Sequence, residues 1–493
     1  MATPTFQFTS SAYPANPFTV VDFQGTEALS SLFRFEIGLK ADDSVAIDLQ
    51  TLLNGTASLL LHGDQANNYS GMLAKVEQLQ QAGGYNYYRV VLVPPVWKLS
   101  LNVRSAGFTG MTYPRIAETV LDNAGLTCGG TLSSNLDVFT ADVTGKNYLA
   151  HDFTCQYAES DLDFICRLME YEGIYFYFTD NSGTCLMTLS DGSSYPSAVS
   201  VPFTDPSSTN NYDSITQITR KVEHAPALIE VTGYDYQNVT TTVQGEYGMA
   251  LDGTPLSGSY PAAWLYDHRT PTPDDAARVA QVRAQEIACW ACLYMGSGAL
   301  PNLRAGGAFN LTGHPVANFN REFLVVSVTH TARNADQSWS TESYTAAQAD
   351  STGAYYANSF TVMPVVPLTS HGNLASAGAS TANAQFRPRR RTLKPSISGV
   401  LSGKVCPLQG SSSSSQDSQD SAAVQLANLV TSLQGAPIPD FQGNNSTAST
   451  TAENNFMPPA PPMDEQGRYR VVLPFVDGSV TDGSPISAWI RMA

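Results

Sequence analysis

Apolar and polar residues alternate along much of the chain, which is the pattern of β-strands that bury one face and expose the other. In the clearest example, residues 32–39, every second residue is apolar: Phe33, Phe35, Ile37 and Leu39. Similar patterns predict further strands at residues 56–61, 70–79, 85–93, 228–236, 308–312 and 322–330. The alternation therefore predicts a mainly β (α+β) protein.

A different period marks residues 160–173, where apolar residues recur every three or four positions. Ser160 stands where a helix N-cap is expected, and Asp163 completes a capping-box pattern three residues later. The apolar face predicted from this spacing consists of Leu162, Ile165, Leu168 and Met169. Gly173 follows as a left-handed C-cap, and the aromatic run 174–178 after it predicts a strand. By itself the stretch predicts a short helix docked on a sheet.

Two further helices have clear start signals. Pro114 predicts a helix start because its ring fits the first helical position, and Gly125 predicts the end of that helix. A second pattern covers residues 273–293, with Thr272 as N-cap and a proline directly after it. Alanines four residues apart give this helix a smooth seam that lets it approach a sheet closely: Ala276, Ala280, Ala284 and Ala288.

The string around the first helix is long enough to compare with known families. Residues 155–178 read C-Q-Y-A-E-S-D-L-D-F-I-C-R-L-M-E-Y-E-G-I-Y-F-Y-F. This string closely resembles the pattern Y-x-E-S-D-L-D-F-I-x-R-L-x-E-x-E-G-I-Y-Y-Y-F of the VgrG family. These proteins are the central spikes of type VI secretion and related phage-like injection machines. Other segments that resemble the family are residues 88–101, 304–315, 320–330, 464–477 and 487–491.

The resemblance implies two tube-like β-barrels with an attached α/β module, followed by an OB-fold β-barrel. The expected domains are a first barrel at 1–110, the α/β module at 111–200, a second barrel containing the 273–293 helix at 201–385, a basic Pro-containing linker at 386–395, and the OB-fold at 396–493. Residues 409–462 are rich in Ser, Gln, Asn, Thr and Pro, which predicts a disordered insertion with one short helix at 422–433. The family normally continues into a trimeric β-helical needle, and the sequence leaves open whether a needle follows Ala493.

The function implied by the resemblance is structural and not catalytic. Such a protein is the hub and spike of a contractile injection machine, either type VI secretion-like or an extracellular phage-tail-like particle. The implied assembly is a homotrimer that sits on an Hcp-like inner tube, surrounded by baseplate proteins, topped by a PAAR-type tip protein and carrying effectors. It is expected to assemble in the bacterial cytoplasm, to be expelled or released, and to meet a membrane only during puncture. The alternatives are a phage-tail-associated hydrolase and a glycan- or receptor-binding tail protein.

Composition narrows the classes of partner. The net charge of −17 argues against nucleic acid and against an anionic membrane surface, because both require a basic footprint. Only 14% of the residues are charged, which fits a β-rich protein that buries surface against partners. Seven cysteines and an N-terminus without a signal pattern predict reduced thiols in a cytosolic protein. An apolar run long enough for a transmembrane helix is missing from the sequence.

Sequence motifs for chemistry are weak, so we assign no catalytic, cofactor-binding or metal-binding residue. Cys289 and Cys292 form a lone C-x-x-C, which predicts two buried thiols because a zinc site needs two more ligands. His314 and His330 lie in family-like segments, where structural hydrogen bonds are the favoured role. An acidic pair at the end of the helix predicted at residues 160–173, Glu170 and Glu172, is predicted to be solvated.

One basic run interrupts the acidic chain at residues 386–395, F-R-P-R-R-R-T-L-K-P. A nucleic-acid interpretation is disfavoured by the net charge. The favoured interpretation is a solvated, Pro-stiffened linker whose charges are available to acidic neighbours on another subunit.

Overall fold

The structure is a computed structural model. It describes residues 6–61, 68–126, 148–181, 183–192, 195, 198–207, 213–235, 238, 240–251, 254–256, 261–334, 355–365, 386–396, 403–405, 468–473 and 488–491. The predicted insertion at 409–462 and its short helix lie outside the described residues.

Strands dominate the described residues, so the prediction of a mainly β protein is confirmed. In chain order they are β1 (Phe6–Ser10), β2 (Thr19–Ala28), β3 (Arg34–Asp42), β4 (Thr56–Leu61), β5 (Asn68–Ala82), β6 (Tyr85–Val93), β7 (Val103–Phe108), β8 (Thr154–Ser160), β9 (Tyr175–Asn181), β10 (Thr184–Ser190), β11 (Val199–Pro202), β12 (Ile215–Val222), β13 (Leu228–Thr232), β14 (Gln244–Gly248), β15 (Ala250–Leu251), β16 (Thr254–Pro255), β17 (Ala262–Tyr266), β18 (Cys292–Gly298), β19 (Ala308–Thr312), β20 (Glu322–Arg333), β21 (Tyr355–Pro364), β22 (Lys404–Val405), β23 (Arg468–Val472) and β24 (Ala488–Arg491).

Helices are fewer than strands in the described residues, although the longest of them has 19 residues. The α-helices are α1 (Leu49–Asn54), α2 (Tyr113–Asn123), α3 (Asp161–Glu172) and α4 (Pro273–Ala291). Short 3-10 helices lie at Pro95–Ser100 and Ala317–Phe319. The predicted start of α2 is one residue late, because the helix begins at Tyr113 and Pro114 is its second residue.

The chain divides into two compact units, of which the larger contains Met1–Val103, Tyr113–Leu149 and Ser160–Lys394. Its main sheet has the strand order β1-β4-β5-β6-β3-β2-β20-β21-β18-β12, and β19 pairs with β20 and β11. Antiparallel pairing of β2 with β20 joins strands that the sequence analysis placed in two different barrels. The closure of either barrel and the domain boundaries stay predictions.

The alternation along β3 is confirmed by its burial. Phe33, Phe35, Ile37 and Leu39 are buried, whereas Arg34 and Glu36 are exposed. The strand begins two residues later than residues 32–39 and ends at Asp42. A strand with one buried and one exposed face needs a second layer over the buried face, so this pattern places the core on one side of the sheet.

The caps predicted for α3 are confirmed. Ser160 Oγ accepts a hydrogen bond from the Asp163 N–H at 3.0 Å, and Gly173 ends the helix with a left-handed φ of 75°. The predicted apolar face is only partly right, because Leu162 is half-buried whereas Phe164 is fully buried. The buried face therefore shares Ile165, Leu168 and Met169 with the predicted one and is rotated from it toward Phe164.

Helix α4 packs on the small sheet β14-β13-β17, as its alanine seam predicted. Ala276, Ala280 and Ala284 are fully buried, and Ala288 is half-buried. The approach is so close that a Cβ on Gly245 of β14 would lie 2.1 Å from the Ala277 nitrogen. Small residues on both elements therefore let the helix lie directly on the sheet.

The smaller unit contains Arg104–Thr112, Ala150–Glu159 and Pro395–Ala493. Its described strands form the pair β7-β8 and the three-stranded antiparallel sheet β22-β23-β24. This sheet lies within the region predicted to be an OB-fold, which stays a prediction. Among the described residues, none of the helices combines the length and apolarity that crossing a bilayer requires.

Candidate functional site

Residues 386–394, here called the basic segment, are the part of the larger unit where the structure differs most from the prediction made from the sequence. The prediction of a solvated linker is wrong for its first half, because Phe386, Arg387 and Pro388 are buried. Only the second half fits the prediction, with Arg389 and Arg391 exposed. The segment lies against α3 and α4 of its own unit, so its charges find partners within the same chain.

Arg387 is the centre of this packing and is 5% exposed. Its guanidinium donates to the Gly173 carbonyl at 2.7 Å, to the Asp191 carbonyl at 3.2 Å and to the Gln285 side chain at 2.9 Å. Burial lowers the pKa of Arg387, and the negative charge of Asp191 opposes that effect. A buried cation with so many acceptors holds the end of α3 and the side of α4 together.

Gly173 is required here for two separate reasons. Its φ of 75° lies in the left-handed region that side-chain-bearing residues disfavour. A Cβ at this position would also lie 2.7 Å from Val282 and 2.8 Å from the Arg387 side chain. The residue that ends α3 therefore also makes room for the buried arginine.

Aromatic side chains pack around Phe386, the first residue of the basic segment. The Phe386 ring packs on Tyr175 and Trp290, with centroid distances of 5.3 and 5.9 Å. The Phe386 N–H donates to the Tyr195 hydroxyl at 3.0 Å, and the Trp290 indole N–H donates to the Arg387 carbonyl at 3.1 Å. Two polar backbone groups of the segment, the Phe386 N–H and the Arg387 carbonyl, thereby have partners inside an apolar layer.

The acidic pair at the end of α3 is not solvated, so that prediction is wrong. Glu172 is 1% exposed and forms an ion pair with Arg278 of α4. Glu170 accepts hydrogen bonds from the backbone N–H groups of Arg391 and Thr392, each at 3.0 Å. Burial raises the pKa of both carboxyl groups, and these donors oppose the shift. The pair anchors a neighbouring helix and the basic segment, which no sequence pattern near α3 indicated.

The two thiols of the C-x-x-C are buried, as predicted, but they belong to different core clusters. Cys289 lies in the cluster around Leu324 and Phe386, whereas Cys292 lies in the cluster around Phe323. Cys289 Sγ donates to the Glu286 carbonyl at 3.2 Å. Burial raises the pKa of Cys289 to about 12, which disfavours the thiolate that a metal or a redox partner needs.

His330 is the centre of a buried polar network in the main sheet. Its Nδ1 lies 2.7 Å from the Tyr356 hydroxyl, and its Nε2 lies 3.2 Å from Glu27 Oε1. The Tyr69 hydroxyl donates to the same carboxylate oxygen at 2.9 Å, and Arg304 stacks on the Tyr69 ring at 4.1 Å. His330 is 0% exposed, so a substrate cannot reach the imidazole in this state. The predicted structural role of this histidine is confirmed.

His314 also has a structural role. Its Nδ1 accepts a hydrogen bond from the Val316 N–H at 3.1 Å, and its ring stacks on Phe319 at 4.6 Å. Within the part of the chain that the structure describes, His, Cys, Asp and Glu side chains do not cluster in threes at metal-binding distance.

Comparison with known proteins places this architecture. The family model described as phage tail baseplate hub (GPD) matches residues 26–336. The chain belongs to this baseplate hub family. The matched range begins in β2 and ends just after β20, so it contains the centre of the main sheet and the helices α2, α3 and α4. The basic segment of this hub chain lies outside the matched range.

Curated relatives of this hub chain include spike proteins of Pseudomonas aeruginosa. The type VI secretion system spike protein VgrG1c is 28% identical over 314 residues, which are 62% of this chain and 41% of the relative. Spike protein VgrG1a is 27% identical over 314 residues, 62% of this chain and 46% of the relative. The hub chain thus spans less than half of the length of these relatives.

A solved structure supports the same fold. The E. coli c3393 protein, whose description calls it a component of the type VI secretion system with structural similarity to T4 bacteriophage tail proteins gp27 and gp5, superposes with a TM-score of 0.53. The match covers 81% of the hub chain and 83% of the c3393 chain at 18% sequence identity. At that identity, the likeness concerns the fold alone.

Proposed function

We propose that the chain is the structural hub and spike component of a contractile injection machine, where it links the baseplate and inner tube to the puncturing tip. The observation that carries the proposal is the hub-family match across residues 26–336. The similarity to type VI secretion spike proteins supports a machine of that kind. The acidic net charge of −17 also fits a protein whose partners are proteins and not nucleic acid.

The proposed role is mechanical and requires no catalysis. His330 and Glu172, polar groups of a kind that hydrolases use, are buried and engaged in packing, His330 in a hydrogen-bonded network and Glu172 in an ion pair with Arg278. Buried polar networks of this kind help to rigidify the elements that they join. That rigidity suits a component that transmits force along the axis of a tube.

We further propose that the working unit is a homotrimer on an Hcp-like inner tube, with baseplate proteins around it, a PAAR-type tip above it and effectors attached. Only 14% of the residues are charged, so little polar surface is available to cover the sheet edges of a monomer. Closed cyclic symmetry also fits a protein on the axis of a tube. Assembly in the bacterial cytoplasm followed by expulsion or release completes the proposal.

Deletion of the gene tests the proposal most directly. Bacteria without the chain should release no inner-tube protein into the medium, and the full chain supplied in trans should restore the release. Particles should be missing at the same time, as judged by electron microscopy of sheath structures. Unchanged release of the tube protein by the deletion strain would refute the hub role.

Two further measurements separate the proposal from its alternatives. Native mass spectrometry of the full chain should give the mass of three copies, and a single copy both in solution and on assembled particles would contradict the trimer. Zymography on peptidoglycan should show no cleared zone. A zone that a single carboxylate substitution abolishes would instead support a tail-associated hydrolase.

A further inference from the structure

Positive charge is concentrated on one exposed surface, although the chain as a whole has a net charge of −17. The second half of the basic segment exposes Arg389, Arg391 and Lys394. These three residues, together with Trp290 and Leu393, are here called the basic platform. The chain as a whole is acidic, so its composition does not explain a basic surface. Such a surface favours a partner with negative charge.

The exposed arginines are held in place and do not extend freely into solvent. Their guanidinium carbons lie over the Trp290 ring, Arg389 at 4.4 Å and Arg391 at 5.5 Å from its centroid. Trp290 is itself fixed, because its indole N–H donates to the Arg387 carbonyl. Side chains that are ordered before binding lose less entropy when a partner arrives, so this arrangement favours recognition.

Three carboxylates near the platform are already engaged by other donors. Glu170 accepts from the Arg391 and Thr392 backbone N–H groups, and Glu286 pairs with Arg283. Asp267 accepts two hydrogen bonds from the Arg269 guanidinium, both at 3.0 Å. These three carboxylates therefore leave most of the exposed charge of the platform uncompensated.

Electrostatic effects on neighbouring groups agree with this geometry. Burial, followed by the positive charges of Arg269 and Arg167, lowers the pKa of Lys394. Burial and then the positive charge of Arg283 lower the pKa of Arg390 to about 10. Cations that repel each other at one surface gain free energy when an anion binds there. Glu223, which pairs with Lys221, offsets part of this charge near Arg389.

Leu393 gives the platform an apolar feature. Its side chain is 87% exposed, and it lies between Thr392 and Lys394. Single exposed leucines are common on protein surfaces, so the significance of this one is its position beside the arginines and Lys394, where it offers a bound segment an apolar contact. A partner that combined carboxylates with an apolar side chain would match both features at once.

We propose that the basic platform binds an acidic segment of a partner protein, with carboxylates on the Arg389 and Arg391 guanidinium groups and on Lys394, and an apolar side chain on Leu393. Arginine and carboxylate form bidentate, charge-assisted hydrogen bonds, which give the contact both strength and orientation. This surface is inferred from charges and contacts alone, so its test does not depend on the proposed hub role.

The probe is a fluorescent peptide of about 12 residues that combines glutamates with two leucines, titrated with the full chain and followed by anisotropy. Binding should be saturable in roughly the micromolar range at about 50 mM NaCl, and should weaken at least about tenfold at about 300 mM NaCl. Arg389→Gln, Arg391→Gln and Lys394→Gln together should weaken binding roughly tenfold or more. Leu393→Ser should weaken it about threefold while leaving an all-glutamate peptide unaffected.

The matched control neutralises two arginines and one lysine elsewhere on the same unit: Arg34→Gln, Lys75→Gln and Arg89→Gln, all at exposed positions. This control should change the affinity less than about twofold. Equal loss in both triple variants, or absence of saturable binding, would overturn the proposal. Tighter binding of single-stranded DNA than of the peptide would overturn the class of partner. Self-association that only the platform variant loses, without peptide binding, would assign the surface to a second copy of the chain.

Discussion

Replacement of Arg387 by alanine is the sharpest test of the packing between α3, α4 and the basic segment. The substitution removes a guanidinium that donates to Gly173, Asp191 and Gln285. It leaves the neighbouring buried side chains of Phe386 and Pro388 unchanged in identity. Because one guanidinium bonds to three different parts of the unit, we expect its removal to lower the free energy of unfolding of the unit as a whole.

The magnitude follows from two opposing terms. Each buried acceptor that loses its donor costs about 1–3 kcal/mol, and the three losses here are not additive because water can enter the space left by the side chain. Removal of a buried cation returns part of the several kcal/mol that its desolvation costs. The lost hydrogen bonds outweigh this return because removing one partner from a buried charged network typically costs about 3–5 kcal/mol. We expect a net loss of about 3 kcal/mol, at the lower end of that range.

Thermal unfolding followed by circular dichroism measures the effect. Large domains lose roughly 2–4 °C per kcal/mol, so Arg387→Ala should lower the Tm by about 6–12 °C. Arg389→Ala is the matched control, because this arginine is exposed and lies two residues away. It should lower the Tm by no more than about 2 °C. If the two variants unfold within about 2 °C of each other, Arg387 does not hold the two helices together.

Three other predictions concern nearby residues. Gly173→Ala should lower the Tm by several degrees, because it adds a methyl group 2.7 Å from its nearest neighbour atom at a positive φ. Gly183→Ala is the control for backbone strain, because Gly183 also has a positive φ but open space around it. Equal effects of the two substitutions on the Tm would contradict the steric argument. Elemental analysis should find less than about 0.1 zinc per chain, because Cys289 and Cys292 lie in separate clusters; about one zinc, lost in Cys292→Ser, would disprove this. Burial raises the pKa of Glu170 above its ordinary value of 4.5, so the folded chain holds that proton to higher pH than the unfolded chain does. The contribution of Glu170 to the free energy of unfolding therefore falls as pH rises from 4.5 through the raised pKa. Glu170→Gln should flatten this part of the Tm-against-pH curve, and an unchanged slope would exclude Glu170 as its source.

Local signals predicted the elements well because their causes lie within a few residues. Ser160 caps α3 through a bond to Asp163, and both residues are visible in one short string. The alternation of β3 and the alanine seam of α4 are likewise read from a single strand and a single helix. The cap depends on a fixed short spacing, and the other two patterns depend on a period that does not change with what the element packs against.

Long-range partners were not predictable from the sequence. Glu172 and Arg278 are 106 positions apart, and Arg387 is 214 positions from the Gly173 carbonyl that it bonds. Both carboxylates at the end of α3 and the arginines of the basic segment look like solvated charges when each run is read separately. One signal was available in the sequence. An acidic helix end and a basic, proline-containing run occur in a chain with few charges, so the two runs could have been predicted to pair with each other.

The basic segment serves two sides of the molecule because its residues point in different directions. Arg387 and Phe386 face inward, where they fix Trp290 through a carbonyl hydrogen bond and a ring contact. Trp290 then supports Arg389 and Arg391 on the outside. The order of the exposed surface therefore depends on the buried half of the same segment. A chain that uses few charges can in this way keep one surface ready for an acidic partner while the same segment stabilises the fold beneath it.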